Sequence, residues 1–219
     1  MAIITLTAVD SSVAFSDASV PQRLRDAWSY TATFAQAAAR ARGNADAGSE
    51  GYFHAVTQEF QELGWNITDA RTLGDGPPAD AMAPAAIISS ILQPWLPGPQ
   101  QAQLAGVLDA FQRPDIPAAN LLDFIWKKAS ASAGKTGMAM GPLTVVGGTP
   151  NITMIYFGFD FAANSWRSLF EDGDVSPAVS ARKLEMNLNM VIYDSFADDL
   201  IAKLSAGKQE HIASAPIDL

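Results

Sequence analysis

The chain contains no cysteine. That excludes disulfides, thiolate metal sites and cysteine nucleophiles together, and leaves the redox compartment open. Histidine is nearly as scarce, with only His54 and His211 to supply an imidazole. Neither belongs to a His-Glu-x-x-His spacing, and there is no Gly-x-Ser-x-Gly elbow, so two common hydrolase signatures are missing. Charged residues make up 17% of the chain, against about 25% in an ordinary soluble protein. The first residues, MAIITLTAVDSS, lack a basic segment followed by an apolar run. No Sec leader is therefore expected, and the location reads as cytoplasmic or secreted by a leaderless route. No run of about 18 apolar residues escapes polar interruption, so an ordinary membrane-spanning helix is not expected either.

What charge there is leans acidic: 23 Asp and Glu against 14 Lys and Arg, a formal net charge of −9. Such a chain repels phosphate backbones, and no Lys/Arg cluster interleaves with aromatics, so nucleic acid is excluded as a partner. With 219 residues and 48% apolar composition the chain can bury a sizeable core. It reads as one domain over 1–208, with a flexible tail over 209–219.

Along that domain, IITLTAV (3–9) reads as a strand. Ser19 with Gln22 three residues later has the form of a capping box, opening a helix that carries Leu24, Trp28, Thr31 and Ala35 on one stripe. Ser49 caps a second helix with Phe53, Val56, Phe60 and Leu63 inward and Glu59 and Glu62 toward solvent. Gly64 ends that helix so that Trp65 can fold back onto Phe60. LGDGPPAD (73–80) reads as a loop. Prolines at 84, 99 and 117 each suit the first turn of a further helix. The texture then changes: 138–146 and 152–161 flank GGTPN as a β-hairpin, and 184–196 alternates as a half-buried strand. A last helix starts at Ala197 behind Ser195. Helices before strands argue for an α+β domain, several amphipathic helices packed on a largely antiparallel sheet. Its expected core includes Trp28, Phe53, Phe60, Ile88, Ile91, Leu104, Leu108, Phe124, Ile155, Phe157, Leu188 and Met190.

Three motifs suggest chemistry and fail on context. ASASAGKT (129–136) has the outline of a phosphate loop ending in Lys135 and Thr136. A phosphate loop follows a strand and opens a helix, whereas here a helix precedes and a strand follows. Asp172 and Asp174 sit in an alternating acidic run, but the twelfth position from Asp172 is Lys183, where a calcium loop needs a carboxylate. His54 and His211 offer imidazoles for a triad assembled in space, with no local signature to support one. No cofactor is expected.

The oddest feature is where charge is missing. Residues 81–108 contain none, and neither do residues 136–159. The first stretch reads as a helical hairpin with Trp95 at its proline-rich tip, the second as a hairpin of strands long enough to cross a bilayer, about 9 to 11 residues each. Both stretches are explained either by core burial, which excludes charge, or by insertion into a membrane. This layout of amphipathic helices followed by uncharged strands resembles that of Cyt-type cytolysins and secreted bacterial virulence factors. The resulting expectation is a non-catalytic bacterial protein of toxin or virulence type that engages a membrane or protein partner through Trp95, Ile88 and Ile91. A hydrolase with a spatially assembled site, or a nucleotide binder using 129–136, is the alternative.

Overall fold

A strand that is apolar on both faces must be covered on both, and that requirement organises the molecule. The computed structural model describes residues 3–44, 47–76, 84–113, 117–129, 135–160, 178–204 and 208–218. Seven strands form one sheet: β1 (Ile3–Val9), β2 (Ser12–Asp17), β3 (Trp65–Gly76), β4 (Lys135–Val146), β5 (Thr149–Asp160), β6 (Ala178–Leu188) and β7 (Ile212–Asp218). Their order is β3-β6-β5-β4-β2-β1-β7. Every neighbouring pair is antiparallel except β2 with β4.

The long connection between β2 and β4 carries α1 (Gln22–Ala41), α2 (Glu50–Glu62), β3, α3 (Pro84–Leu92), a 3-10 turn (Gln93–Trp95), α4 (Gly98–Gln112) and α5 (Pro117–Ala129). After β6 come α6 (Met190–Asp194), α7 (Ala197–Leu204) and α8 (Lys208–His211). Helices cover both faces. On one, Ile88, Leu104 and Leu122 of α3–α5 share a core with Met140, Ile155 and Phe157 of the sheet. On the other, Trp28, Phe53 and Val56 of α1–α2 share a core with Ile152, Met154 and Tyr156. The two-residue period of β5 sends neighbouring side chains into opposite cores. This is the α+β architecture expected from the element order.

Several local expectations hold for the reasons given. Ser49 accepts from the Tyr52 N–H and caps α2, Gly64 takes a left-handed φ of 85°, and Trp65 meets Phe60 edge to face at 5.9 Å. The turn between β4 and β5 uses Gly147 and Gly148 at φ 59° and 81°, which suits a hairpin turn. Of the expected core, Ile91, Phe124 and Met190 are partly buried and the other nine residues buried.

The differences are equally physical. Ser19 does not cap α1; Pro21 occupies the N-cap place, and the Ser19 side chain binds Asp17 in the turn after β2. The strand expected over 184–196 stops at Leu188, because the Asn189 side chain accepts from the Val191 and Ile192 N–H groups and starts α6. Residues 73–76, expected in a loop, extend β3 along β6, while 77–80 lie outside the described residues. The tail expected to be loose supplies α8 and β7, the latter paired with β1 from Ile3↔Asp218 to Val9↔Ile212. Glu59 is buried at 3% exposure where α1 meets α2, and pairs with Arg42.

Candidate functional site: the uncharged layer and its latch

The residues singled out from the sequence lie together on one face of the sheet. α3 and α4 as far as Leu108 form the uncharged helical hairpin, which shares one core with β4–β5, the strand hairpin. Ile88 is fully enclosed, and Ile91 and Trp95 are partly buried against the same core. In this state Ile88 reaches a partner or a membrane only if the helical hairpin leaves the sheet. The backbone order at the phosphate-loop motif is helix, then strand, as α5 leads into β4; residues 130–134 lie outside the described residues, as do Asp172 and Asp174.

A charged cluster that sequence reasoning missed sits beneath Trp95. On the face covered by α3–α5, β6 carries Lys183 and Glu185, and β3 carries Asp69 and Arg71. The register places Asp69 opposite Glu185 and Arg71 opposite Lys183. The Lys183 ammonium donates to Asp69 at 2.9 Å and pairs with Glu185 at 2.6 Å, and Arg71 pairs with Asp69. Trp95 closes over this cluster, its ring centre 4.4 Å from the Lys183 nitrogen and 5.2 Å from the Arg71 guanidinium carbon. A cation held against an indole in a desolvated place contributes about 2 kcal/mol. The tip of an otherwise uncharged layer is thus latched to a charged patch near the β3 edge of the sheet.

The electrostatic surroundings fit a closed latch. Hydrogen bonding from Arg71, opposed by burial and reinforced by Lys183, holds the Asp69 carboxyl below the ordinary carboxylate value. Burial alone would lower Lys183, but hydrogen bonds to Glu185 and Asp69 outweigh it and hold the ammonium above its ordinary value. Asp69 therefore contributes stability above the unfolded carboxylate pKa, and loses it only as pH falls through its depressed folded value. Mild acid leaves the Asp69 arm of the latch intact. The clue in the sequence was alternation of opposite charges, Asp69 with Arg71 and Lys183 with Glu185, which gains meaning only once β3 and β6 are known to be neighbours.

The opposite layer is held differently. Gln36 of α1 accepts from the Ser11 and Tyr52 hydroxyls, each at 3.0 Å, and donates to the Val9 carbonyl at 3.0 Å. Asp10 is fully buried at a left-handed φ of 47°, with Arg40 and His211 Nδ1 each 2.9 Å from its carboxylate. His211, placed in the tail by the sequence, is thus part of the fold. Burial pushes the Tyr52 phenol far up, opposed by Arg40 and aided by Asp10, so it stays a neutral hydrogen-bond donor. Trp65 donates to Thr31, and Arg182 donates to the Gly48 carbonyl on the loop before α2. That loop rides so close to the sheet that a Cβ on Gly137 would sit 2.0 Å from the Gly48 nitrogen, so glycine is required there.

Catalytic arrangements are not assembled from the expected parts. His54 is exposed and faces Glu50 of its own helix at 3.4 Å, and His211 faces Asp10. Among the described residues neither imidazole has a hydroxyl hydrogen-bonded to it, no group of metal-ligating side chains forms, and no helix is long and apolar enough to cross a membrane.

No protein-family model matches the chain, and no curated protein matches it. Among solved structures it is similar to the Evf virulence factor, with 11% identity over 88% of this chain and 77% of that one, at a TM-score of 0.39. It is also similar to a delta-endotoxin, with 12% identity over 73% of this chain and 75% of that one, at a TM-score of 0.29. These are weak likenesses, and the functional argument rests on the geometry.

Proposed function

We propose that the protein acts by binding, as a bacterial toxin- or virulence-type factor whose uncharged layer opens to engage a membrane. One observation carries this reading. The central hairpin β4–β5 is apolar on both faces, and one of its two covering layers is attached by apolar packing, one hydrogen bond from Gln103 to Asp17 and the Trp95 latch. Apolar packing is non-directional, so lipid can replace it at little cost, whereas buried hydrogen bonds cannot be replaced by hydrocarbon. Departure of α3–α4 would open access to the face that carries Phe15, Met138, Met140, Ile155 and Phe157, with α5 still packed toward β1 and β7 and α1–α2 still covering the other face. A transmembrane barrel needs a polar side on each strand, which β4–β5 lack, so the fitting mode is a sheet face lying on the bilayer. A soluble protein partner that replaces the layer is the other occupant to be tested.

The test is dye leakage from neutral and anionic vesicles at about pH 7 and about pH 4.5, with Trp emission followed alongside. Gln103 of α4 donates to Asp17 of β2 at 3.4 Å, so Asp17→Cys with Gln103→Cys places two thiols across the joint in a chain that has no others. Bridging them with a short bismaleimide ties the layer to the sheet and leaves the folded state intact. Leakage by the unbridged protein, abolished by the bridge and restored with a cleavable linker, is the expected outcome. Absence of leakage and of any emission change under all these conditions defeats the membrane reading.

A further inference from the structure

We propose that β3 is a docking edge for a second copy of this chain, the two strands pairing antiparallel about a twofold axis at Ala70. The inference does not depend on the membrane reading. β3 ends the sheet and, among the described residues, is paired on one side only, with β6. Ala70, Arg71 and Thr72 are exposed. A strand edge with unpaired backbone groups is a template for another strand.

The charge pattern selects the partner. Asp69 and Arg71 flank Ala70 and lie on one face of the sheet, where they pair with each other. In an antiparallel pair centred on Ala70, Asp69 of each copy faces Arg71 of the other, and Ala70 faces its twin. Side-chain alternation allows only registers that differ by two residues, which move the axis by one. An axis at Arg71 would set Arg71 against Arg71, and an axis at Asp69 would set Asp69 against Asp69. Opposite charges facing across a ladder stabilise a pair and like charges destabilise it, so the strand is self-complementary in the register centred on Ala70. The Arg71 side chain is 53% exposed and free to reach across, while Lys183 still holds Asp69 within its own chain. A foreign strand without the same pattern would leave both charges unmatched. The net charge of −9 is screened beyond about 8 Å at physiological salt, so these local pairs decide.

The same strand limits how far the pairing runs. Register shifts against β6 between Ile67 and Asp69 and between Thr72 and Gly74 mark bulges, which bend a strand out of a regular ladder. The regular stretch is therefore 69–72, and an interface built on so few residues is small and weak. Growth stops at two copies, because the twofold uses both β3 edges. The opposite edge of the sheet is β7, whose Pro216 has no N–H to donate to a further strand.

The experiment is analytical ultracentrifugation of the full chain without lipid, from about 5 to about 500 μM, with half-association expected at roughly 10 to 100 μM. Arg71→Glu sets an acid against Asp69 of the other copy, and Ala70→Glu sets an acid against its own twin. Each weakens association by about tenfold. Because the chain has no cysteine, Ala70→Cys reports the register directly. Under diamide its thiol lies opposite its twin and forms a disulfide dimer. Asn66→Cys, whose twin lies more than about 20 Å away in this register, stays monomeric. Unchanged thermal unfolding confirms that each variant folds, and the cross-link reads the register whether or not the Glu variants do. The proposal is overturned if the wild type sediments as a monomer throughout, if both folded Glu variants dimerise as the wild type does, or if Asn66→Cys cross-links as readily as Ala70→Cys.

Discussion

The two helical layers cover opposite faces of the sheet and are held there by different means. α1–α2 is tied to its face by hydrogen bonds through Gln36, Trp65 and Arg182 and by the Asp10–Arg40 ion pair. α3–α4 lies on the other face by apolar packing, a 3.4 Å hydrogen bond from Gln103 to Asp17, and the cation contacts of Trp95. The lesson is that burial alone does not fix whether a layer can leave. A layer held by apolar packing can exchange one apolar surface for another, whereas one held by buried polar groups would strand them. If either layer is to separate, it is α3–α4.

The sharpest way to break this comparison is to remove the polar ties from the fixed layer. Gln36→Leu leaves the Ser11 and Tyr52 hydroxyls and the Val9 carbonyl without their partner in a buried place. The expected loss is about 4 kcal/mol in denaturant unfolding. The matched change on the other layer, Leu104→Met, keeps volume and should cost less than about 1.5 kcal/mol. If the two costs came out alike, the distinction between the layers would fall.

The latch gives the next effects. Asp69→Asn removes an acceptor shared by Lys183 and Arg71 and should cost about 2 kcal/mol near neutral pH. That difference from wild type should persist through mild acid and vanish below pH 3.8, the ordinary carboxylate value, as Asp69 itself becomes protonated. A difference already gone at about pH 5 would show that Asp69 is not held ionised as described. Trp95→Leu keeps an apolar tip but loses the ring over Lys183, so about 1 kcal/mol is expected, together with faster leakage if the latch restrains opening. Unchanged leakage kinetics would detach the latch from function.

The smallest effect should be a gain. Burial raises the Glu59 carboxyl above its ordinary value, with Arg42 opposing and Glu62 adding. A carboxylate whose folded pKa is raised costs stability as pH rises through that value, so Glu59→Gln should add up to about 1 kcal/mol at neutral pH. A loss would mean that the Arg42 pair outweighs the burial.

Much of the covering was legible because helices announce themselves locally. The prolines at 84, 99 and 117, the Ser49 cap and Gly64 act within a turn or two of themselves. The strands were legible only where a tight turn joined them, as at Gly147–Gly148. β2 is six residues of mixed character, and β7 ends the chain and is stabilised by pairing with β1, more than two hundred positions earlier. Glu59 was misplaced for a related reason, since a helix has only one face in the sequence pattern until a second helix packs beside it.

The candidate sites divide in the same way. The sequence by itself determined that charge would be absent from 81–108 and 136–159, that Trp95 would sit at a proline-rich tip, and that the chain would be acidic, because these are properties of neighbouring residues. Tertiary structure alone decided that Trp95 would close on Lys183 and that Asp10 would meet His211. Each of those encounters joins residues far apart in the chain. Hydrophobic periodicity says which side of an element is buried, but which element lies against it follows from sheet order, and that is set by the packing of the whole molecule.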